Sequence, residues 1–226
     1  MKIAVITGAS SGMGWECAIR LWEQFPGLDE IWAVGRRKER LVKLEEKVNI
    51  PVRKFVLDLS QEKEREILKA ELERLKPQVK FLVNAAGFGK IGNVCDLPEK
   101  DQSGMVQVNC TALTAVTTMV LSYSRALNRE LKGRKIFVTA ICPGPVRTEF
   151  FDIAQTTGEI PLYKKLVMAA PGKVVAKAIR DSIAGREISV YGLFMNAFWI
   201  LAKVFPHSLI LDMMEKIEYL PGKDRW

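Results

Sequence analysis

The residues most able to do chemistry stand at the start of the chain. Thr7-Gly8-Ala9-Ser10-Ser11-Gly12-Met13-Gly14 places three glycines and two serines in one short turn. The turn lies between an apolar run, Lys2 to Thr7 (K-I-A-V-I-T), and a helical pattern, Trp15 to Phe25. Strand, glycine-rich turn and helix in that order suit the phosphates of a dinucleotide. Gly8 permits the tight turn, Gly12 lets backbone approach a pyrophosphate, and Gly14 lets the helix pack closely on the strand. The helix start adds unpaired N–H groups and partial positive charge. The spacing T-G-x-x-x-G-x-G is one residue wider at its first gap than G-x-G-x-x-G. Taken alone, the loop also reads as a glycine-rich turn with no ligand.

A second cluster follows the next apolar run, Asp29 to Val34, as Gly35-Arg36-Arg37-Lys38. An acidic residue at this junction would hydrogen-bond a ribose 2′-hydroxyl, whereas arginines accommodate a 2′-phosphate. Two arginines and no acid favour NADP(H) over NAD(H). The competing reading is that Arg36 and Arg37 simply open the charged helix Lys38 to Lys47.

These residues need a scaffold, and the alternation of elements supplies one. Val52 to Leu57 reads as a third strand, closed by Asp58-Leu59-Ser60, with Ser60 as N-cap of a helix Gln61 to Lys76. Lys80 to Val83 reads as a fourth strand, followed by the small residues Asn84-Ala85-Ala86-Gly87. Four β-α repeats with short connections imply right-handed crossovers. The expected fold is therefore α/β: a Rossmann-type doubly wound parallel sheet in three αβα layers, within a single domain over residues 1–226.

Bulk properties narrow the function classes. A 226-residue chain that is 48% hydrophobic can bury one core without a second domain. The net charge of +8 would suit an anionic ligand, but 34 basic residues are interspersed with 26 acidic ones, as in Glu62-Lys63-Glu64-Arg65. That is a solvated helix face, and no basic-aromatic alternation points to nucleic acid. Cys17, Cys95, Cys110 and Cys142 have no paired spacing and read as reduced packing residues of a cytoplasmic protein. The short N-terminal apolar run enters the glycine loop directly, so no signal peptide is expected. A lone histidine, His207, leaves no histidine triad or multi-histidine metal site.

Thr7-Gly8-x-x-x-Gly12-x-Gly14, Asp58, Asn84-Ala85-Ala86-Gly87, Asn109 and Pro143-Gly144-Pro145-Val146-Arg147-Thr148 together resemble the short-chain dehydrogenase/reductase family, over nearly the whole chain. The resemblance implies a Rossmann domain that binds NAD(P)(H), assembles as dimers or tetramers and transfers hydride between a carbonyl and an alcohol. Carried over by position, Gly8, Ser10, Ser11, Gly12, Met13 and Gly14 would hold the pyrophosphate, and Arg36 and Arg37 the 2′-phosphate. Asp58, Leu59, Asn84, Ala85 and Gly87 would flank adenine and ribose. Pro143, Gly144, Val146 and Thr148 would border the nicotinamide, with NADP(H) as cofactor.

The family's proton chemistry uses a serine, a tyrosine and a lysine four residues after the tyrosine, all expected between Asn109 and Pro143. They are absent there: Tyr123 is followed four positions on by Leu127. Tyr219 and Lys223 have the spacing, but Pro221-Gly222 prevents the helical geometry. Asn109 is the one catalytic position that remains. Thr111 to Met119 resembles the helix after Asn109, and Ser122 to Leu131 resembles the helix that follows the catalytic lysine. About one βα unit, on the order of 30 residues, is therefore missing from the family pattern. Met105, Val108, Ala112, Val116, Met119, Tyr123 and Leu127 nevertheless step by three or four. One fused helix from Pro98 to Leu131 is expected, leading to a strand Lys135 to Ile141, with the sheet closing up one strand short.

Past Thr148 the pattern loosens around Phe150, Phe151, Thr156-Thr157-Gly158 and Pro161, a region the family uses as a substrate lid. Pro171 to Ile183 reads as a helix and Glu187 to Val190 as a last strand. Leu193 to Phe205 (L-F-M-N-A-F-W-I-L-A-K-V-F) is the most apolar stretch and too short to span a bilayer. A subunit-interface or core helix, an apolar substrate wall and a peripheral membrane contact are its three readings. Two functions remain open: an NADP(H)-dependent oxidoreductase of a small apolar carbonyl or alcohol, working as a homo-oligomer, or a catalytically dead nucleotide-binding or scaffold protein.

Overall fold

Alternation along the first two strands builds the layers. In the computed structural model, which describes residues 1–92, 94–128, 138–154 and 168–205, strand β1 is Lys2–Thr7 and β2 is Glu30–Gly35. Ala4, Ile6, Ile31 and Ala33 point into one core, while Ile3, Val5, Trp32 and Val34 point into another. A strand presents successive side chains to opposite faces, so each strand feeds both cores.

The first core is covered by helices α1 (Gly12–Gln24) and α2 (Lys38–Glu45), through Cys17, Ala18, Leu21, Leu41 and Leu44. The second is covered by α3 (Glu62–Leu75), through Leu68 and Leu72. Trp32 is fully buried there, and its indole N–H donates to Glu30 at 2.8 Å, which removes the cost of burying an unpaired donor.

With β3 (Val52–Val56) and β4 (Gln78–Asn84), these strands form a parallel sheet in the order β3-β2-β1-β4. Thr7 lies opposite Val34 on one side and Asn84 on the other. The order reverses at β1, so the ends of β1, β2 and β4 surround one crevice, where ligands bind in open α/β sheets.

The fused helix forms. Helix α4 (Glu99–Val106) passes through a π turn (Gln107–Ala112) into α5 (Leu113–Asn128) without a break, with Pro98 as N-cap. The π turn is a departure from the expected regular phase. Ala112, Val116 and Val120 carry the burial, whereas Met105, Val108 and Met119 are half-buried. The expected continuation to Leu131 lies outside the described residues, as do His207, Thr156 to Pro161 and the Tyr219–Lys223 pair.

The sheet does not close up. Strand β5 (Ala140–Cys142) pairs in parallel with β6 (Ile188–Val190) in a separate sheet, and among the described residues no strand joins β4 to β5. The reason is that β5 stays with its own anchors. Ala140 donates to the Glu187 carbonyl at 2.8 Å, and Thr139 Oγ1 donates to the Arg186 carbonyl at 2.6 Å. Helix α7 (Pro171–Ile183) packs on α1 and holds β6 through Asp181, which accepts hydrogen bonds from Lys177, Arg186 and Ser189. Helix α6 (Glu149–Ala154) lies between β5 and α7 in sequence, and α8 (Leu193–Val204) ends the described chain.

Other expectations need correction. Ser60 is not an N-cap: α3 begins at Glu62, the Asp58 carboxylate accepts from the Ser60 N–H at 3.0 Å, and the Glu64 carboxylate takes the Asp58 N–H. Only Cys17 is a packing residue. Burial, assisted by Glu16, pushes its thiol up to about 12, whereas Cys95, Cys110 and Cys142 are exposed. Helix α8 is no core helix, since Leu193, Phe194 and Ile200 are exposed. No helix among the described residues is long and apolar enough to cross a membrane.

Candidate functional site

The turn after β1 is held by contacts only glycine allows. Gly8 has φ of +67°, and a Cβ there would come within 2.5 Å of the Ala85 carbonyl oxygen. The turn and the Asn84–Gly87 loop are thus pressed together, and Thr7 locks them. Its Oγ1 accepts from the N–H groups of Ala85 and Ala86 at 3.1 and 3.2 Å. A Cβ on Gly14 would lie 2.4 Å from the Gly8 carbonyl oxygen, so α1 packs against the turn itself. Ser11 is the N-cap of α1, makes no side-chain cap bond, and no acidic residue occupies the first turn. That leaves the positive helix end available to an anion.

At the end of β2 the arginines separate. Arg36 is exposed. Arg37 is the N-cap of α2 and turns back to the glycine turn, where its Nη2 donates to the Ser10 carbonyl at 3.4 Å. Arg40, one turn along α2, donates from Nε to the same carbonyl at 3.2 Å and lies 5.4 Å from the centre of the Trp15 ring. Both guanidinium groups meet the Glu149 carboxylate, each at 2.8 Å and each on its own oxygen. Arg40 and Glu149 carry no motif signal.

The Pro143–Thr148 segment closes the other side. A Cβ on Gly12, whose φ is +55°, would lie 3.3 Å from Thr148 Cβ. Val146 is buried and bridges to Ala169, and Met195 of α8 packs against Gly144. A cleft of about 450 Å³ lies here, lined by Gly12, Trp15, Arg40, Arg147, Thr148 and Glu149 among others.

The remaining predicted positions take structural partners. Asp58 forms the tight turn that leads to α3, and Leu59 is buried in the second core, so only its backbone can face a ligand. Buried Arg65 pins that turn by donating to the carbonyls of Leu59 and Ser60 at 2.7 and 3.1 Å. Asn84 Nδ2 donates to Thr117 Oγ1 at 2.8 Å, while Asn84 Oδ1 is buried with no hydrogen-bond partner. Asn109 sits in the π turn. It donates to the Phe88 carbonyl at 2.9 Å and accepts the Phe88 N–H at 3.1 Å, and its Oδ1 would lie 3.0 Å from a Cβ on Gly87. π turns of this kind are frequent at functional sites.

Residues 2–125 match the family model for short chain dehydrogenases. The chain belongs to that family.

Across 206 aligned positions it is 28% identical to a probable short-chain type dehydrogenase/reductase, VdlC, of Helicobacter pylori, which covers 86% of this chain and 74% of that protein. It is 35% identical over 201 positions to sulfoacetaldehyde reductase 2 of Chromohalobacter salexigens, covering 70% of this chain and 77% of the relative. A short-chain dehydrogenase from Sphingobium yanoikuyae, solved in complex with NADPH, superposes with a TM-score of 0.71 at 21% identity over the full length of both chains. The short-chain dehydrogenase match ends at Arg125, so Pro143 to Thr148 lie beyond it. The glycine turn, the two convergent guanidiniums and the bare start of α1 fit a phosphorylated dinucleotide. No group of three or more metal-ligating side chains occurs among the described residues.

Proposed function

We propose that this short-chain dehydrogenase is built to use NADP(H) on a small apolar carbonyl or alcohol, and that the 226-residue chain binds the cofactor with little turnover. The carrying observation is the convergence of Arg37 and Arg40 beside Ser10, at the ribose end of the glycine turn. Gly8, Ser10 to Gly14 and the start of α1 would hold the pyrophosphate; Asp58, Leu59, Asn84, Ala85 and Gly87 would flank adenine and ribose. Pro143, Gly144, Val146 and Thr148 would border the nicotinamide, which supplies the hydride when bound. Apolar side chains gather beside that border. Met195 rests on Gly144, and Phe150 approaches Gly89. The partners implied are an apolar substrate and further copies of the chain, in the cytoplasm.

The open sheet supports low turnover. Removing one strand with its helix would leave β4 and β5 without a strand between them, as they stand among the described residues. The lost unit would carry the serine, tyrosine and lysine of the family pattern. General acid/base groups contribute about 10²–10⁴-fold, so catalysis falls by at least that range without them.

Titration of NADPH and NADH into the full chain tests the cofactor assignment. NADPH should bind more tightly, and Arg37→Glu should weaken NADPH by about tenfold or more while changing NADH little. An unchanged NADPH affinity would remove Arg37 from the site.

A further inference from the structure

Glu149 belongs to no family motif, yet it is placed where the 2′-phosphate reading needs an anion. Its two carboxylate oxygens each take one guanidinium, Arg37 Nη1 on Oε2 and Arg40 Nη2 on Oε1, both at 2.8 Å. All three side chains are only partly exposed, with accessibilities of 36–40%. Two guanidiniums fixed on the Ser10 carbonyl and converging on two oxygens form an anion site of the charge and donor type a phosphate monoester uses.

We infer that Glu149 is a specificity-determining residue, whose carboxylate competes with the cofactor 2′-phosphate for Arg37 and Arg40. The inference rests on the NADP(H) reading above and goes beyond it. The arginines draw in the 2′-phosphate; Glu149 sets how much of that attraction remains after its own displacement. A cofactor with a plain ribose 2′-hydroxyl has no group to displace the carboxylate and leaves both ion pairs in place. Glu149 therefore lowers the preference for NADP(H) over NAD(H) by occupying both guanidiniums. Its position matters too. Glu149 directly follows Thr148, whose side chain lies against Gly12, so the carboxylate also ties the Pro143–Thr148 segment to the adenosine end of the groove.

Calorimetric titration of the full chain, Glu149→Gln and Glu149→Ala with NADPH, NADH and adenosine 2′,5′-bisphosphate tests this. Both variants should bind NADPH and the bisphosphate more tightly by on the order of three- to tenfold, the size expected from releasing two partly exposed ion pairs, and NADH within about twofold of the unaltered chain. The gain should shrink at high salt, as partly exposed charges are screened. Unchanged or weaker NADPH binding in both variants, with NADPH still preferred over NADH, overturns the competition and leaves the cofactor reading standing. Equal tightening of NADPH and NADH overturns it as well, since Glu149 would then act on the groove and not on the phosphate. Failure of all three proteins to bind NADPH or the bisphosphate overturns the cofactor reading, and the competition with it.

Discussion

The four-stranded sheet and the β5-β6 pair are made of similar residues and end in different states. In β1 five of six residues are buried, and in β2 five of six. In β5, Ala140, Ile141 and Cys142 are all exposed, and β4 is only partly buried although Phe81, Leu82 and Val83 are as apolar as the residues of β1. A parallel strand buried on both faces normally reads as a continuous apolar run. Here β4 and β5 carry such runs without the covering. Among the described residues the glycine-turn half is covered on both faces of its sheet, whereas the β5-β6 pair is not.

The largest effect should come from repairing that difference. Inserting a strand and helix bearing the family's serine, tyrosine and lysine between Met119 and Ser122 should raise carbonyl-dependent NADPH oxidation by about 10²–10⁴-fold, measured by loss of NADPH absorbance. Core truncation should then show the asymmetry directly. Ile6→Ala, fully buried in β1, should cost about 2–5 kcal/mol in denaturant unfolding. Ile141→Ala, 40% exposed in β5, should cost less than about 1 kcal/mol. Equal costs would break the comparison.

Asp181 gives an intermediate test on the tie between α7 and β6. Burial alone would raise its pKa, but hydrogen bonds from Lys177 and Ser189 and the charges of Lys177 and Arg186 outweigh burial and hold it below the usual carboxylate value. A depressed folded-state pKa gives stability that is full above the unfolded value of about 3.9 and is lost as pH falls through the folded one. Asp181→Asn should therefore destabilise at neutral pH by about 1–3 kcal/mol and flatten the acid limb below about pH 4. Unfolding curves at several pH values check both.

Much of the nucleotide half was legible because its signals are local. The alternation in β1 and β2 marks two faces, and Gly8 and Gly14 mark approaches that no Cβ would fit. The fused helix was legible from the three-four step of its apolar residues. The π turn is not legible, because it leaves that step nearly intact: Ala112 and Val116 of the stripe are buried, and only the shift from Met119 to Val120 departs from it. Ser60 has the residue type of a cap, but α3 starts one residue later, with Gln61 at the N-cap, because the Asp58 carboxylate takes the Ser60 N–H and holds Ser60 in the preceding turn. The Arg40–Glu149 pair spans 109 positions, a separation across which no spacing rule operates. Closure of the sheet is expected because a right-handed crossover survives the removal of one βα unit. The handedness rule says nothing of the anchors on Glu187 and Arg186 that keep β5 with β6.

This chain is proposed to keep its cofactor site and to lack the family's proton chemistry. One sample tests it: NADPH titrated into the full 226-residue chain by fluorescence, then followed for oxidation across a panel of apolar ketones and aldehydes. The expected result is saturable binding, tighter than for NADH, with no carbonyl-dependent oxidation above background. Saturable binding with oxidation at a rate ordinary for enzymes, about 1–10³ s⁻¹, would contradict it.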